Sequence, residues 1–534
     1  MDNKEIIDID SSEESFSAIN LGRRTARMAS AIFLAKIFTF LVVGFAFIVV
    51  ARILGPAIYG IYTLAITIPG LFTAFGDFGF STSIIKFLSE YTAKNERKKI
   101  EELIKNVFTI LIFGTGCLTL LAFILSGPIA TYIFKTPSYT EIFELGSLTI
   151  IFGVFFGVFG SVLIGLGLNK KLVYVITIQV TLQAVTSITL ALLDFGAYAP
   201  LLGTIIGFLF GLLACLYYLK KILNIKLDLS GISTKKWKEL LGFSSPLGIS
   251  GGISNFVNNI AIMSLGVYST TFVVGNFGVS NKLSTMFDLI IGSIGVASLS
   301  LFSFASSNPK NKIKSIEKYY NYTLFFTFLV ITPIIFLIIM LAKPLSYTVF
   351  SGTYSLAPLY IEIMALGVFF YIINSYSSSL IISEGKVKTI LFYSIILSLL
   401  ELLLIPLLIP IFNGFGLSLI LFILIPFVSV VLYLYFIMRI LKLKLDYYKI
   451  VKVVISSIIS ALFIIPLILL FGDNFIPLII VAIIEQIFIY PIIISMTKTI
   501  DKDLINLIKK MVSNIPLINK LADLFFKYTE IFIR

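Results

Sequence analysis

Long apolar runs separated by short polar breaks organise this chain. Fourteen runs can be read, at 29–51, 58–85, 103–125, 142–168, 172–193, 197–219, 241–265, 271–305, 320–341, 359–382, 389–411, 415–438, 450–471 and 475–496. About 20 apolar residues in a helix cross about 30 Å of hydrocarbon, so each run predicts a transmembrane helix. The second and eighth exceed a straight crossing and are expected to run on as amphipathic helix beyond the bilayer. No period-2 polar alternation suggests a barrel. The first hairpin is the most informative stretch: an apolar helix ends at Arg52, and Gly55-Pro56 predicts a turn. The return run is expected to be interrupted at Pro69-Gly70 and again at Gly76-Asp77-Phe78-Gly79, which leaves a carboxylate inside a broken helix. Broken helices and charges at membrane depth cost free energy, and they are kept where a pathway needs them.

Composition sharpens the class. Of 534 residues, 58% are hydrophobic and 13% charged, against about 25% charged in soluble domains. The net charge of +13 could suggest nucleic acid, but its placement excludes that reading. With the N-terminus inside, 36 of the 41 Lys and Arg fall in inside segments, leaving Lys36, Arg52, Lys135, Lys282 and Lys343. That is positive-inside bias, with both termini cytoplasmic and the chain in the cell membrane. The chain has no His, which removes imidazole chemistry and His-ligated metal sites. Cys117 and Cys215 read as small core residues in apolar runs. The tail after Met496 is amphipathic and predicts a helix on the inner membrane surface or a solvated one.

The chain also repeats itself. Gly153-Val154-Phe155-Phe156 recurs as Gly367-Val368-Phe369-Phe370, and Pro128–Phe134 matches Pro344–Phe350. Tyr59-Gly60-Ile61-Tyr62 aligns with Val274-Gly275-Asn276-Phe277. The expected architecture is an all-α polytopic membrane protein of two six-helix lobes in parallel repeat, plus two extra helices. The domains are a tail over 1–28, an N-lobe over 29–225, a C-lobe over 226–445, the extra pair over 446–497 and a second tail over 498–534.

The motif VVARILGPAIYGIY (49–62) resembles the first-hairpin signature of polysaccharide and oligosaccharide-lipid exporters. These include the O-antigen-type flippases of the multidrug/oligosaccharidyl-lipid/polysaccharide exporter superfamily. PLSYTVFSGTYSLAPLYIEIMALGVFF (344–370) is similar to that family's ninth-to-tenth helix connection. The resemblance implies two lobes around a cavity open alternately to each side. It also implies a polyprenyl- or dolichyl-(di)phosphate-linked oligosaccharide as substrate, moved from inner to outer leaflet. Membrane lipids, and glycan-assembly enzymes as candidate protein partners, go with it. Fourteen spans are also the number in the lipid II flippases of that superfamily.

The residues suited to that chemistry are few. Lys36, Arg52 and Lys282 are candidates for the substrate phosphates or head group. Lys282 is the first choice, because an ammonium near the midplane needs an anion or water. Lys36 could instead pair with Asp77, Lys282 with Asp288 or Glu401, and Arg52 could be an interfacial anchor. Asp77, Asp288 and Glu401 are candidate cavity carboxylates, able to carry H⁺ or Na⁺ as coupling ion; Glu485 lies outside the two-lobe core. Arg23, Arg24 and Arg27 are explained by orientation alone. Gly203, Gly207 and Gly211 space as small-xxx-small, as do Gly248 and Gly252, and predict close helix packing. Pro69, Gly70 and Pro246 are candidate hinges. No catalytic residue, metal site, cofactor or nucleotide-binding loop is expected. The rival readings are a drug or cation antiporter of the same superfamily and a membrane glycosyltransferase or polymerase. The latter usually carries acidic outer motifs that this chain lacks.

Overall fold

The computed structural model describes residues 18–77, 79–223, 234–306, 312–472, 474–497 and 499. The N-terminal tail before residue 18 and the amphipathic C-terminal tail lie outside them. All regular structure among the described residues is helical. In hydrocarbon the backbone has no water to bond, and a helix satisfies its own N–H and C=O groups.

The elements are α1 (Ala18–Gly76), α2 (Phe80–Ala93), α3 (Arg97–Pro128), α4 (Thr140–Gly165), α5 (Asn169–Leu192) and α6 (Tyr198–Leu223). They continue with α7 (Thr234–Tyr268), α8 (Thr271–Ser306), α9 (Lys312–Met340), α10 (Ala342–Phe350), α11 (Ala357–Ser383) and α12 (Val387–Ser418). The last are α13 (Ile425–Tyr435), α14 (Tyr447–Leu462), α15 (Ile464–Phe471) and α16 (Phe475–Met496). Ten helices among the described residues are long and apolar enough to cross a membrane. The chain is therefore a multi-pass membrane protein. Two of those spans contain a non-helical residue: Gly55 in α1 and Asn413 in α12. At Gly55 the chain folds back, because the rings of Phe47 and Tyr59 lie 6.1 Å apart. In one continuous helix their Cα atoms would be about 18 Å apart.

The chain divides into two compact units. Unit 1 comprises Met1–Gly278 and Ser394–Asn413. Its core joins α2, α3, α4, α5 and α6 through Phe80, Leu103, Phe159, Val175 and Leu219. At the end of α2, Lys94 pairs with Glu90 at 2.6 Å and holds its carboxyl below the usual range. Unit 2 comprises Val279–Tyr393 and Gly414–Arg534. There α14 lies along α9 and α16, and α16 against α10. The α14 face is built of small buried residues, Ser456, Ser457, Ser460 and Ala461, which lets helices approach closely. Gln486 Nε2 donates to Ser460 Oγ at 2.7 Å, and the Tyr490 hydroxyl donates to Leu329 O at 2.8 Å.

Backbone landmarks recur with the repeat. Left-handed residues fall at Lys135 and Ser351, at Gly167 and Gly385, and at Asp194 and Asn413, offsets of 216, 218 and 219. One aligned pair keeps a different offset. The Gly153–Phe156 match, at offset 214, sits about one helical turn out of register with them. A one-turn shift keeps nearly the same helix face. The contacts themselves keep the offset of the sequence match: Gly153 lies under the Phe208 ring and Gly367 against Phe422, so both partners are 214 positions apart.

The expected interruption at Pro69-Gly70 is corrected. α1 stays helical through both residues and ends at Gly76, where the second expected interruption begins. Pro69 leaves the Ala65 carbonyl without its helical N–H. Gly146 of α4 approaches that same carbonyl so closely that a Cβ there would overlap it. Gly70 makes room for the Asn259 side chain of α7, which would lie 2.5 Å from a Cβ.

Candidate functional site

Gly55 sits at φ 70°, ψ 170°, a conformation that only glycine adopts without strain. Pro56 follows at the start of the return helix, where its missing N–H costs nothing. Arg52 lies just before the break and is exposed. Beyond it, the Tyr59 and Tyr62 rings meet edge-on with centroids 5.4 Å apart.

Tyr62 opens a connected polar chain inside unit 1. Its hydroxyl hydrogen-bonds Thr204. Thr204 Oγ1 donates to Pro200 O at 2.8 Å and accepts from Gln183 Nε2 at 3.2 Å. Gln183 Oε1 accepts from Gln179 Nε2 at 2.8 Å. The chain ties α1, α5 and α6 together. The glycines of α6 make it possible: a Cβ at Gly207 would come 2.8 Å from Gln183 Cβ and 2.9 Å from Gln179 O. A Cβ at Gly203 would overlap Ser187 Oγ, and one at Gly211 would lie 2.6 Å from the Phe156 ring. Gly252 similarly admits Ala74 O, 2.8 Å from its would-be Cβ. These small residues set helix spacing.

The return helix of α1 also meets the start of α8 backbone to backbone. A Cβ on Gly60 would overlap Thr271 O and stand 2.7 Å from Thr271 C; one on Gly275 would overlap Pro56 O and stand 2.7 Å from Pro56 C. Gly60 and Gly275 are separated by 215 positions, and so are Pro56 and Thr271. The two contacts are therefore one contact read from each repeat, with a local twofold relation between them.

The charged candidates fall in different settings. Asp77 closes the gap between α1 and α2, and its Oδ1 accepts both the Ser81 N–H and the Ser81 hydroxyl at 3.1 Å. Glu401 of α12 is 4% exposed, and its Oε1 has no hydrogen-bond partner. In unit 2, Lys282 of α8 is half-buried, with no ion-pair partner among the described residues. Glu485 of α16 keeps a buried Oε2 without a partner. The side chains of Lys36, Asp288 and Pro246 lie outside the described residues, and so does the expected Lys36–Asp77 pair. α7 is helical through Pro246.

A family profile described as polysaccharide biosynthesis protein matches residues 49–359. The chain belongs to the polysaccharide biosynthesis protein family. No curated protein matches it significantly in sequence. Among solved structures it is similar to the lipid II flippase MurJ in an inward closed conformation. That match has a TM-score of 0.68 and 18% identity, covering 88% of this chain and 98% of the other. It is also similar to an inward-facing multidrug resistance MATE family transporter of the MOP superfamily, with a TM-score of 0.62 and 16% identity over 76% of this chain and 95% of the other. At these identities the likeness establishes a shared fold. For this member of the polysaccharide biosynthesis family, sequence reasoning missed the Gln179–Gln183–Thr204–Tyr62 chain. It also missed the reciprocal glycine contact, although the aligned Tyr59–Tyr62 and Val274–Phe277 motifs were its signal.

Proposed function

We propose that the chain is a flippase, not an enzyme, which carries a phosphate-bearing, lipid-linked oligosaccharide from the inner to the outer leaflet of the cell membrane by alternating access. The observation that carries this reading is Lys282, a half-buried cation on a long apolar helix with no anionic partner among the described residues. A charge so placed costs several kcal/mol unless an anion or water meets it. A substrate diphosphate supplies that anion, while the prenyl tail stays in lipid. The family and the fold shared with a lipid II flippase support the same substrate class. Both termini face the cytoplasm in this reading, and glycan-assembly enzymes are the expected partners.

The test is flipping of a fluorescent polyprenyl-diphosphate sugar in proteoliposomes, followed by its accessibility to an added enzyme. Lys282→Ala is expected to lose at least about tenfold in rate and Lys282→Arg to keep most of it, since each 1.4 kcal/mol is tenfold. Flipping that survives Lys282→Ala removes this residue from the pathway. No flipping by folded wild-type protein removes the reading itself.

A second reading, ion-coupled cation antiport, is favoured by Glu401, whose unpartnered oxygen suits a proton or Na⁺. Uptake of a cationic dye driven by a pH or Na⁺ gradient, without lipid flipping, would select it.

A further inference from the structure

The segment joining α13 to α14 reads Leu441-Lys442-Leu443-Lys444-Leu445-Asp446. Leu443 is 4% exposed, while Lys442 and Lys444 on either side are exposed. The segment is pinned. Lys442 takes φ 56°, a left-handed conformation that helix ends usually give to glycine, and the Leu443 N–H reaches back to Ile437 O at 3.2 Å. The Lys444 N–H donates to Glu317 Oε2 at 3.1 Å. Asn321 Nδ2 donates to Lys444 O at 3.0 Å, and Asn321 Oδ1 accepts the Asp446 N–H at 3.0 Å. One asparagine of α9 thus clamps the loop through both ends of its amide.

The clamp fixes where the charges stand. Lys314, Glu317, Lys318 and Asn321 follow one face of α9 at helical spacing, beneath the loop. Lys449 and Lys452 follow on the first turns of α14. The six lysines 314, 318, 442, 444, 449 and 452 stand with Glu317 and Asp446 among them, Glu384 is paired with Lys312 at the start of α9, and none of the six forms an ion pair among the described residues. Glu317 is already engaged by the Lys444 backbone. Two aromatic rings stand beneath the ammonium groups: Lys452 Nζ lies 4.5 Å from the Tyr448 ring centre and Lys318 Nζ 5.8 Å from that of Tyr322. Tyrosines and lysines in this arrangement mark headgroup depth. Directly beyond, α14 exposes Val451, Ile455, Ile458 and Ile459, an apolar face on which an acyl chain can lie.

We propose that the 441–452 segment and the start of α9 form a binding site for the phosphate headgroup of an anionic bilayer lipid. Orientation bias accounts for lysines on this side of the membrane; it does not account for a strained, clamped loop that holds them together. The apolar α14 face beside the site favours a bilayer lipid over a soluble phosphate. The site is independent of the substrate reading above.

The experiment counts lipids bound to the purified full chain by native mass spectrometry, using phosphatidylglycerol as probe and phosphatidylcholine as reference. Changing Lys442, Lys444, Lys449 and Lys452 together to Gln is expected to weaken phosphatidylglycerol binding by about tenfold or more. Changing Lys98, Lys170, Lys220 and Lys221, exposed or half-exposed lysines of unit 1, is expected to change it by less than about twofold. Asn321→Ala keeps every lysine and removes two of the clamp bonds; it is expected to weaken binding by about threefold or more. It also carries the test should the quadruple variant fail to fold. Equal losses from both quadruple variants would mean diffuse charge and overturn the site. So would unchanged binding in Asn321→Ala. Displacement of the lipid by pyrophosphate alone would assign the lysines to a soluble ligand and overturn the lipid.

Discussion

Placing a methyl group on Gly60 or Gly275 tests the reciprocal contact between α1 and α8. A Cβ at position 60 would overlap Thr271 O, stand 2.7 Å from Thr271 C and 3.0 Å from Gly275 N; the values at position 275 mirror these against Pro56 and Gly60. Carbon atoms rest at about 3.5–4.0 Å, so the two backbones must part by about 1 Å. No side chain can rotate away, because every atom in the way is main chain. Overpacking of this kind costs about 1–3 kcal/mol. Alanine recovers about 0.5–1 kcal/mol of helix propensity, so the comparison needs controls. Gly116→Ala and Gly157→Ala serve, since a Cβ at either meets nothing within 4 Å. Relative to them, Gly60→Ala and Gly275→Ala should each lose about 1–3 kcal/mol in denaturant titrations of the purified protein. The double variant should lose less than the sum. Once one methyl has spread the backbones, the second finds part of its space made, and neighbours couple by about 0.5–3 kcal/mol. Single substitutions that match the controls, or strict additivity in the double variant, would refute the shared contact.

Three other outcomes are expected. Thr327→Val removes the partner of the buried Tyr376 hydroxyl, 2.6 Å away, and should cost about 1–3 kcal/mol in the same titration, whereas Tyr376→Phe combined with it should recover part of the loss. Asp77→Asn keeps an acceptor for the Ser81 N–H and hydroxyl and should change stability little. Asp77→Ala should lose about 0.5–2 kcal/mol and expose the start of α2 to amide exchange. Glu401→Gln should leave the protein folded, since its Oε1 bonds nothing, while flattening the pH dependence of transport if that carboxyl carries the proton; an unchanged pH profile would exclude it from coupling.

The sequence was most legible where a single residue decides the backbone. The turn at Gly55-Pro56 and the break at Gly76–Gly79 appear where the motif placed them, because glycine alone takes those dihedrals cheaply. Pro69-Gly70 reads the same way and is continuous helix, since Gly146 and Asn259 fill the space around it. Asn321 had no role legible in the sequence, yet its amide holds a loop more than 120 positions away.

By itself, the order of apolar and polar residues determined the membrane class, the helical fold, the family and the doubling of the chain. Hydrophobic run length and positive-charge bias are properties of one segment at a time, and they need no partner to be read. Only the tertiary structure decided which polar group meets which. It turned the α6 glycines into a bed for Gln179 and Gln183, matched Gly60 with Gly275, and left Glu401 with an unpartnered oxygen. Those pairings depend on the register between helices distant in sequence, and a shift of one residue rotates a helix face by about 100°.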